Sequence, residues 1–351
     1  MSDAVPVPGR VAWVDYAKGI CIVAVVSMYA TFWANDTYAD LTHHTPSLSW
    51  MNHWVDFARP FRMPDFFLLS GLFIGRVIDR PWMDYYDKRV LHYLYFFLLW
   101  TLILFLCRYD LPTDGGLGVR LKILALMLVE PYAMLWFIQM LAAFSLAVRW
   151  TRRWPSWLVF VGALGLQLLE LDSTVYGSQV VRFCEYFAYF YGGYLFSGSV
   201  FKLTGWAQAH VAAAVGALLT WGVANALLVH LGWADMPGVS AAMGFAGALA
   251  IAVLGALLSR YRWAEGLRYL GEHSIVVYLA FLLPLIGLTM TWSRLRITWD
   301  QGWSTVLMIV VSILVSLMLY WWTRGTTLDF LFHRPQWARL RARRTEVGEP
   351  A

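Results

Sequence analysis

Residues 10–33 read RVAWVDYAKGICIVAVVSMYATFW. The stretch opens on charges and turns almost wholly apolar from Gly19, yet polar groups return at helical spacing. At about 100° per residue, Asp15, Lys18, Ile22, Val25 and Tyr29 share one narrow face. Lys18 and Tyr29 are nearly superimposed along the axis, about 16 Å apart at a rise of about 1.5 Å per residue. A helix immersed in lipid has no use for such a stripe. A helix facing a polar chamber inside a bundle does, so the fold expected is an all-α membrane protein.

Moving outward, the 351 residues are 60% hydrophobic and 14% charged. Soluble domains sit near half apolar and a quarter charged, and here the excess comes from apolar runs long enough to span a bilayer. The spacing predicts about ten transmembrane helices, near 16–34, 61–79, 90–107, 132–149, 156–171, 180–199, 207–231, 238–258, 273–292 and 304–323. Lys and Arg collect in cytoplasmic loops. Placing the basic segments around Lys18, Arg76–Arg89, Arg149–Arg153, Lys202 and Arg260–Arg268 inside puts both termini in the cytoplasm. No cleavable signal peptide is visible, because the first apolar run lacks a small-residue cleavage site. The whole chain, 1–351, reads as a single membrane domain with a basic cytoplasmic tail from about 324. That tail suits contact with anionic membrane lipids. The positive charge sits at membrane ends, which argues against a nucleic-acid partner. Cys21, Cys107 and Cys184 lie in or beside spans, which disfavours a disulfide framework or a metal site. Residues 35–60, with His43, His44, His53, Asp56 and Arg59, form the expected extracytoplasmic lid, and KILALMLVEPY suggests a short interfacial helix within 108–131.

Charges in spans cost about 2.5–3.5 kcal/mol each on insertion scales, so they need a purpose. In FRMPDFFLLSGLFIGRVID (61–79), a continuous helix sets Arg62, Asp65 and Arg76 on one side. Run antiparallel to the first span, it puts Arg62 and Asp65 near the depth of Tyr29 and Arg76 near Lys18. The two helices then share a cationic cytoplasmic mouth and a deeper polar cluster. That shape suits a phosphorylated donor with a long arm. Lys18 and Arg76 are the donor-binding candidates; Tyr29, Asp65 and Asp15 are the catalytic ones. Arg62, Trp136, Arg182 and Glu185 are candidates for the acceptor. Asp15 with Lys18, Arg62 with Asp65, and Arg182 with Glu185 are all i,i+3 pairs, equally readable as ion pairs that hold the bundle. His92 reads as an interfacial histidine, Ser274 beside Glu272 as a helix cap, and FAYFYGGYLF (187–196) as core, with Gly192 and Gly193 allowing close helix approach.

DYAKGICIVAVVSMYA (15–30) resembles the opening helix of the acyltransferase-3 family of bacterial membrane acyltransferases, which includes O-antigen and Nod-factor O-acetylases and the succinyltransferase of periplasmic glucans. RPFRMPDFFLLSGLFIGR (59–76) is similar to their second-helix signature. LWFI (135–138) resembles their Leu-Trp-Phe segment and GEHSIVVYLAFLLP (271–284) their late Ser-x-x-x-Tyr-Leu helix. The resemblance covers about 12–330. It implies transfer of an acyl group from cytoplasmic acyl-CoA, a donor substrate rather than a resident cofactor, to a hydroxyl of an envelope carbohydrate or lipid-linked sugar. It implies a multi-pass protein of the bacterial inner membrane. This chain departs from the family pattern at four positions. Lys18 stands for an Arg, Tyr29 for a His, Arg62 for a common His, and Phe281 for a late His. Histidine titrates near 6.5 and tyrosine near 10, so only about one tyrosine in a thousand is phenolate at pH 7. A neighbouring cation is needed to make Tyr29 a base, and Arg62 is the obvious one. The competing expectation is a catalytically degenerate member acting as a transporter, a flippase or a partner in glycan assembly.

Overall fold

The computed structural model describes residues 11–42, 49–107, 116–169, 171–296 and 300–340. His43, His44, Asp110, Asp114, Glu170 and the tail beyond 340 lie outside the described residues. The helices, in chain order, begin with α1 (Ala12–Thr42), α2 (Trp50–Ala58), α3 (Arg62–Gly71), α4 (Trp82–Tyr85), α5 (His92–Cys107) and α6 (Gly116–Val129). They continue with α7 (Trp136–Thr151), α8 (Ser156–Gln167), α9 (Ser173–Tyr176), α10 (Ser178–Leu195), α11 (Ser197–Ala209) and α12 (Val211–His230). The last are α13 (Val239–Leu258), α14 (Glu265–Glu272), α15 (Ser274–Ala280), α16 (Leu282–Leu295) and α17 (Gln301–Thr323). No strand occurs among the described residues. Among the described residues, six helices are long and apolar enough to cross a membrane, or seven if α15 and α16 form one bent span. The other three stretches expected to cross are shorter or more polar. The helix α3 has 10 residues, α8 has 12, and α10 has 18 with a polar face.

The second predicted span is not one helix. It stops at Gly71 and continues through turns and a 3-10 turn at Ile74–Arg76. Gly71 and Gly75 each weaken helix by about 1 kcal/mol relative to Ala, which makes the break affordable. Arg76 is therefore off the α3 face that carries Arg62 and Asp65. The bend of 41° between α15 and α16 has a local cause. Pro284 clashes with the carbonyl four residues earlier, that of Ala280, where α15 ends. Ser274 is the first residue of α15, not its cap; His273 occupies the cap and makes no side-chain capping bond.

Contacts divide the chain into two compact units. The first holds residues 1–73 and 156–322, the second 74–155 and 323–351. In the first unit α1 packs on α14, α13 and α3, and α3 on α10. Glycine sets the closest approaches. A Cβ on Gly271 would strike the Asp15 carbonyl, and one on Gly193 would strike the Leu68 carbonyl. The α1–α14 crossing is further tied by Tyr16, whose hydroxyl donates to Glu265 at 3.0 Å. Arg268 bridges Glu265 and Glu272, donating to Glu272 at 2.8 Å.

In the second unit Tyr85 donates its hydroxyl to the Ser145 carbonyl at 2.7 Å. The Arg149 guanidinium lies 5.3 Å from the Tyr85 ring centre and donates to the Arg80 carbonyl. The chain after α17 returns over α5. Trp100 and Tyr95 donate to the carbonyls of Leu331 and Phe330, each at 3.0 Å.

Candidate functional site

The apolar run of α1 buries Cys21 and Ile22 almost completely and leaves Lys18 and Tyr29 half-buried. Against it, α3 presents Asp65 at 2% and Arg62 at 8% exposure. Asp65 faces Cys21, whose thiol donates to Oδ2 at 3.8 Å, and Lys18 acts on the same thiol through space. The carboxylate thus sits between the levels of Lys18 and Tyr29, about two turns nearer Lys18 than expected. The charged and polar neighbours acting most strongly on the Arg62 guanidinium are Tyr186 and Tyr29.

No ion pair joins Arg62 to Asp65. Asp65 Oδ1 is buried without a hydrogen-bond partner, and so are Nε and Nη1 of Arg62. A structural pair would satisfy these atoms, since burying a bare ion costs several kcal/mol. These are orphaned buried polar atoms, which a ligand, a water or a proton can satisfy.

Tyr186 connects this cluster to a cleft of about 280 Å³. Its ring rests on Phe67, with centres 5.3 Å apart. The cleft is polar for a membrane protein. Glu185, Tyr186 and Tyr189 come from α10, Gln167 from the end of α8, and Arg59 pairs with Asp235 at 2.9 Å on its wall. Gln167 donates to the Tyr189 hydroxyl at 2.6 Å and keeps its own carbonyl oxygen buried and unpartnered. A carboxylate, an amide and aromatic rings lining one cleft can bind a polyhydroxylated ligand by hydrogen bonds and stacking.

The structure brings together Lys18, Tyr29, Arg62 and Asp65 around α1 and α3, with Glu185 in the adjoining cleft. Asp15 is buried, its backbone pressed against α14 at Gly271. Arg182 is half-buried and outside the cleft lining, and it acts on Glu185 through space. Trp136, half-buried at the start of α7, and Arg76, exposed, belong to the second unit. The Tyr29 ring meets the fully buried Phe281 ring, with centres 5.5 Å apart, at the bend between α15 and α16. Sequence reasoning missed Cys21, Tyr186, Gln167 and Tyr189 as site residues. Tyr186 follows Glu185 on the same helix, which was the available signal; Tyr189 was read as core.

A family of acyltransferase domains, acyltransferase-3, matches residues 11–321. A stretch of 84 residues is 38% identical to the inner membrane protein YcfT of Escherichia coli K12, covering 22% of this chain and 23% of that protein. The chain thus aligns with about a quarter of that relative's length. No solved structure matches it. With apolar helices that cross a membrane several times and a family match over most of its length, this chain belongs to the acyltransferase-3 family of membrane proteins.

Proposed function

We propose that the protein is an O-acyltransferase, moving an acyl group from cytoplasmic acyl-CoA to a hydroxyl of an envelope carbohydrate or lipid-linked sugar. The observation that carries the reading is the unpaired, buried Arg62 and Asp65 beside a polar cleft. In this scheme Glu185 and Arg182 orient the acceptor. Asp65 takes the hydroxyl proton, or Tyr29 does so with its phenolate favoured by Arg62. The new ester bond forms as the thioester C–S bond breaks, and the proton ends on the coenzyme A sulfur. Lys18 binds the donor phosphates, and Asp15 orients Lys18. Ten crossings, a single membrane domain, both termini in the cytoplasm and an inner-membrane location complete the proposal. The name of the Escherichia coli relative supports that location.

The test is acyl-CoA turnover by purified protein, read as free thiol. General-base loss typically costs 10²–10⁴-fold, so Asp65→Asn is expected to lower the rate at least about a hundredfold. Full activity in both Asp65→Asn and Tyr29→Phe removes this mechanism. One observation favours the second reading, a degenerate member serving as transporter or flippase. Tyr29 and Phe281, both at positions where the family pattern has histidine, are packed on each other as rings. That reading expects no turnover with any acyl-CoA and no gain in Tyr29→His.

A further inference from the structure

In the second unit the chain returns after α17 and closes over a π-helical turn, Tyr86–Leu91, that precedes α5. Such turns project side chains that a regular helix would place elsewhere, and they recur at functional sites. Here the turn carries Asp87 and Lys88. Arg334, from the returning segment, is buried and grips Asp87 twice, donating to its carbonyl at 2.7 Å and to Oδ1 at 2.6 Å. The Leu340 backbone N–H donates to the same Oδ1 at 2.9 Å, and Arg339 donates to the Arg334 carbonyl at 3.1 Å. Two segments 247 residues apart are thereby locked together.

The lock leaves an open pocket of about 270 Å³ with an uneven charge. Its acidic group, Asp87, is spent on Arg334 and the Leu340 amide. Lys88 and Arg339 line the same pocket and are exposed, and the rings of His92 and His333 line it too. Arg334, Arg89 and Arg339 all act on the His92 ring. Phe332, packed on Trp100 with ring centres 5.6 Å apart, supplies an apolar floor. Asp329 holds Nδ1 of His333 at 2.8 Å, so both described carboxylates at the cluster are engaged, and the Lys88 and Arg339 donors on its open side match an oxyanion with several acceptor oxygens.

We propose that this pocket binds a phosphate group through Lys88 and Arg339, with the two histidines as further donors. The phosphate comes either from an anionic lipid headgroup or from a soluble phosphate. The proposal does not rest on the acyltransferase reading, because it uses none of the residues assigned to donor, acceptor or proton transfer.

Full-length protein in micelles is titrated with dioctanoyl phosphatidic acid, with zwitterionic dioctanoyl phosphatidylcholine, and with inorganic pyrophosphate, and binding is counted by native mass spectrometry. Phosphatidic acid, pyrophosphate or both are expected to bind, more weakly as salt rises. The Lys88→Ala/Arg339→Ala double variant is expected to bind them roughly tenfold more weakly or worse, since two charge-assisted contacts are removed. Both side chains are exposed, so the melting temperature should hold; if the double alanine variant unfolds, Lys88→Gln with Arg339→Gln makes the same comparison. Phosphatidic acid that excess pyrophosphate cannot displace assigns the site to a lipid headgroup. Displacement by pyrophosphate assigns it to a soluble phosphate. Equal binding by wild type and variant overturns the proposal. So does phosphatidylcholine binding as well as phosphatidic acid while pyrophosphate fails to bind.

Discussion

A carboxylate with one bare oxygen and a guanidinium with two bare nitrogens sit three residues apart on α3 and do not pair. Replacing buried ions by apolar side chains of similar volume is often neutral or stabilising, by about 1–4 kcal/mol. Arg62→Met is therefore expected to raise the melting temperature while lowering turnover, and Asp65→Asn to leave it unchanged or higher. The readout is unfolding followed by tryptophan fluorescence. A clear loss of stability in both variants would mean the charges hold the fold rather than serve a site. Arg62 and Asp65 were legible as candidates because charge in an apolar run is conspicuous. Their failure to pair was not legible. An i,i+3 spacing permits a bond, but which rotamer each side chain takes depends on Cys21 and Tyr186, contributed by other helices.

At the scale of elements, helix crossings rest on glycine. Gly271→Ala would drive a Cβ into the Asp15 carbonyl, which α1 cannot move without shifting Lys18. Overpacking of this kind costs about 1–3 kcal/mol, occasionally more. Gly216 on α12 has nothing within 4 Å of its would-be Cβ, so Gly216→Ala is expected to stabilise by up to about 1 kcal/mol. Opposite signs in paired thermal melts are the check. The same crossing carries a pH-dependent tie. Hydrogen bonds from Arg268, then from Tyr16, hold the Glu265 carboxyl below its usual range. A depressed folded value gives stability that is present above the unfolded pKa, near 4.3, and is lost as pH falls through the folded one. The melting temperature should drop slightly as pH falls from about 5 through 4, and Glu265→Gln should lack that component. The effect is small because the side chain is half exposed and screened. The end of α3 at Gly71 belongs to this scale too. Hydropathy runs on unbroken through 61–79, so nothing in composition marks the stop. Glycine spacing was the faint signal.

For the whole molecule, charge asymmetry predicts both termini in the cytoplasm, which demands an even number of crossings. A C-terminal green fluorescent fusion is expected to fluoresce and a C-terminal alkaline phosphatase fusion to stay inactive. The reverse pattern would put the C-terminus outside, which means either an odd count or an even count with Lys18 on the outer side. Six or seven described helices have the length and apolarity to cross, and α3, α8 and α10 are where the count is decided.

What the chain carried in one dimension was its class: apolar runs, basic loop ends, a polar stripe on α1 and motifs that match one family. Those are local properties, set by helical period and by the cost of charge in lipid, so they can be read residue by residue. Only the tertiary structure decided that Asp65 meets Cys21, that Tyr29 and Tyr186 both act on Arg62, that α10 opens a cleft, and that Arg334 closes the tail over Asp87. Each of these depends on the register between segments far apart in the chain, and that register is set by glycine contacts and buried side chains that no single stretch contains.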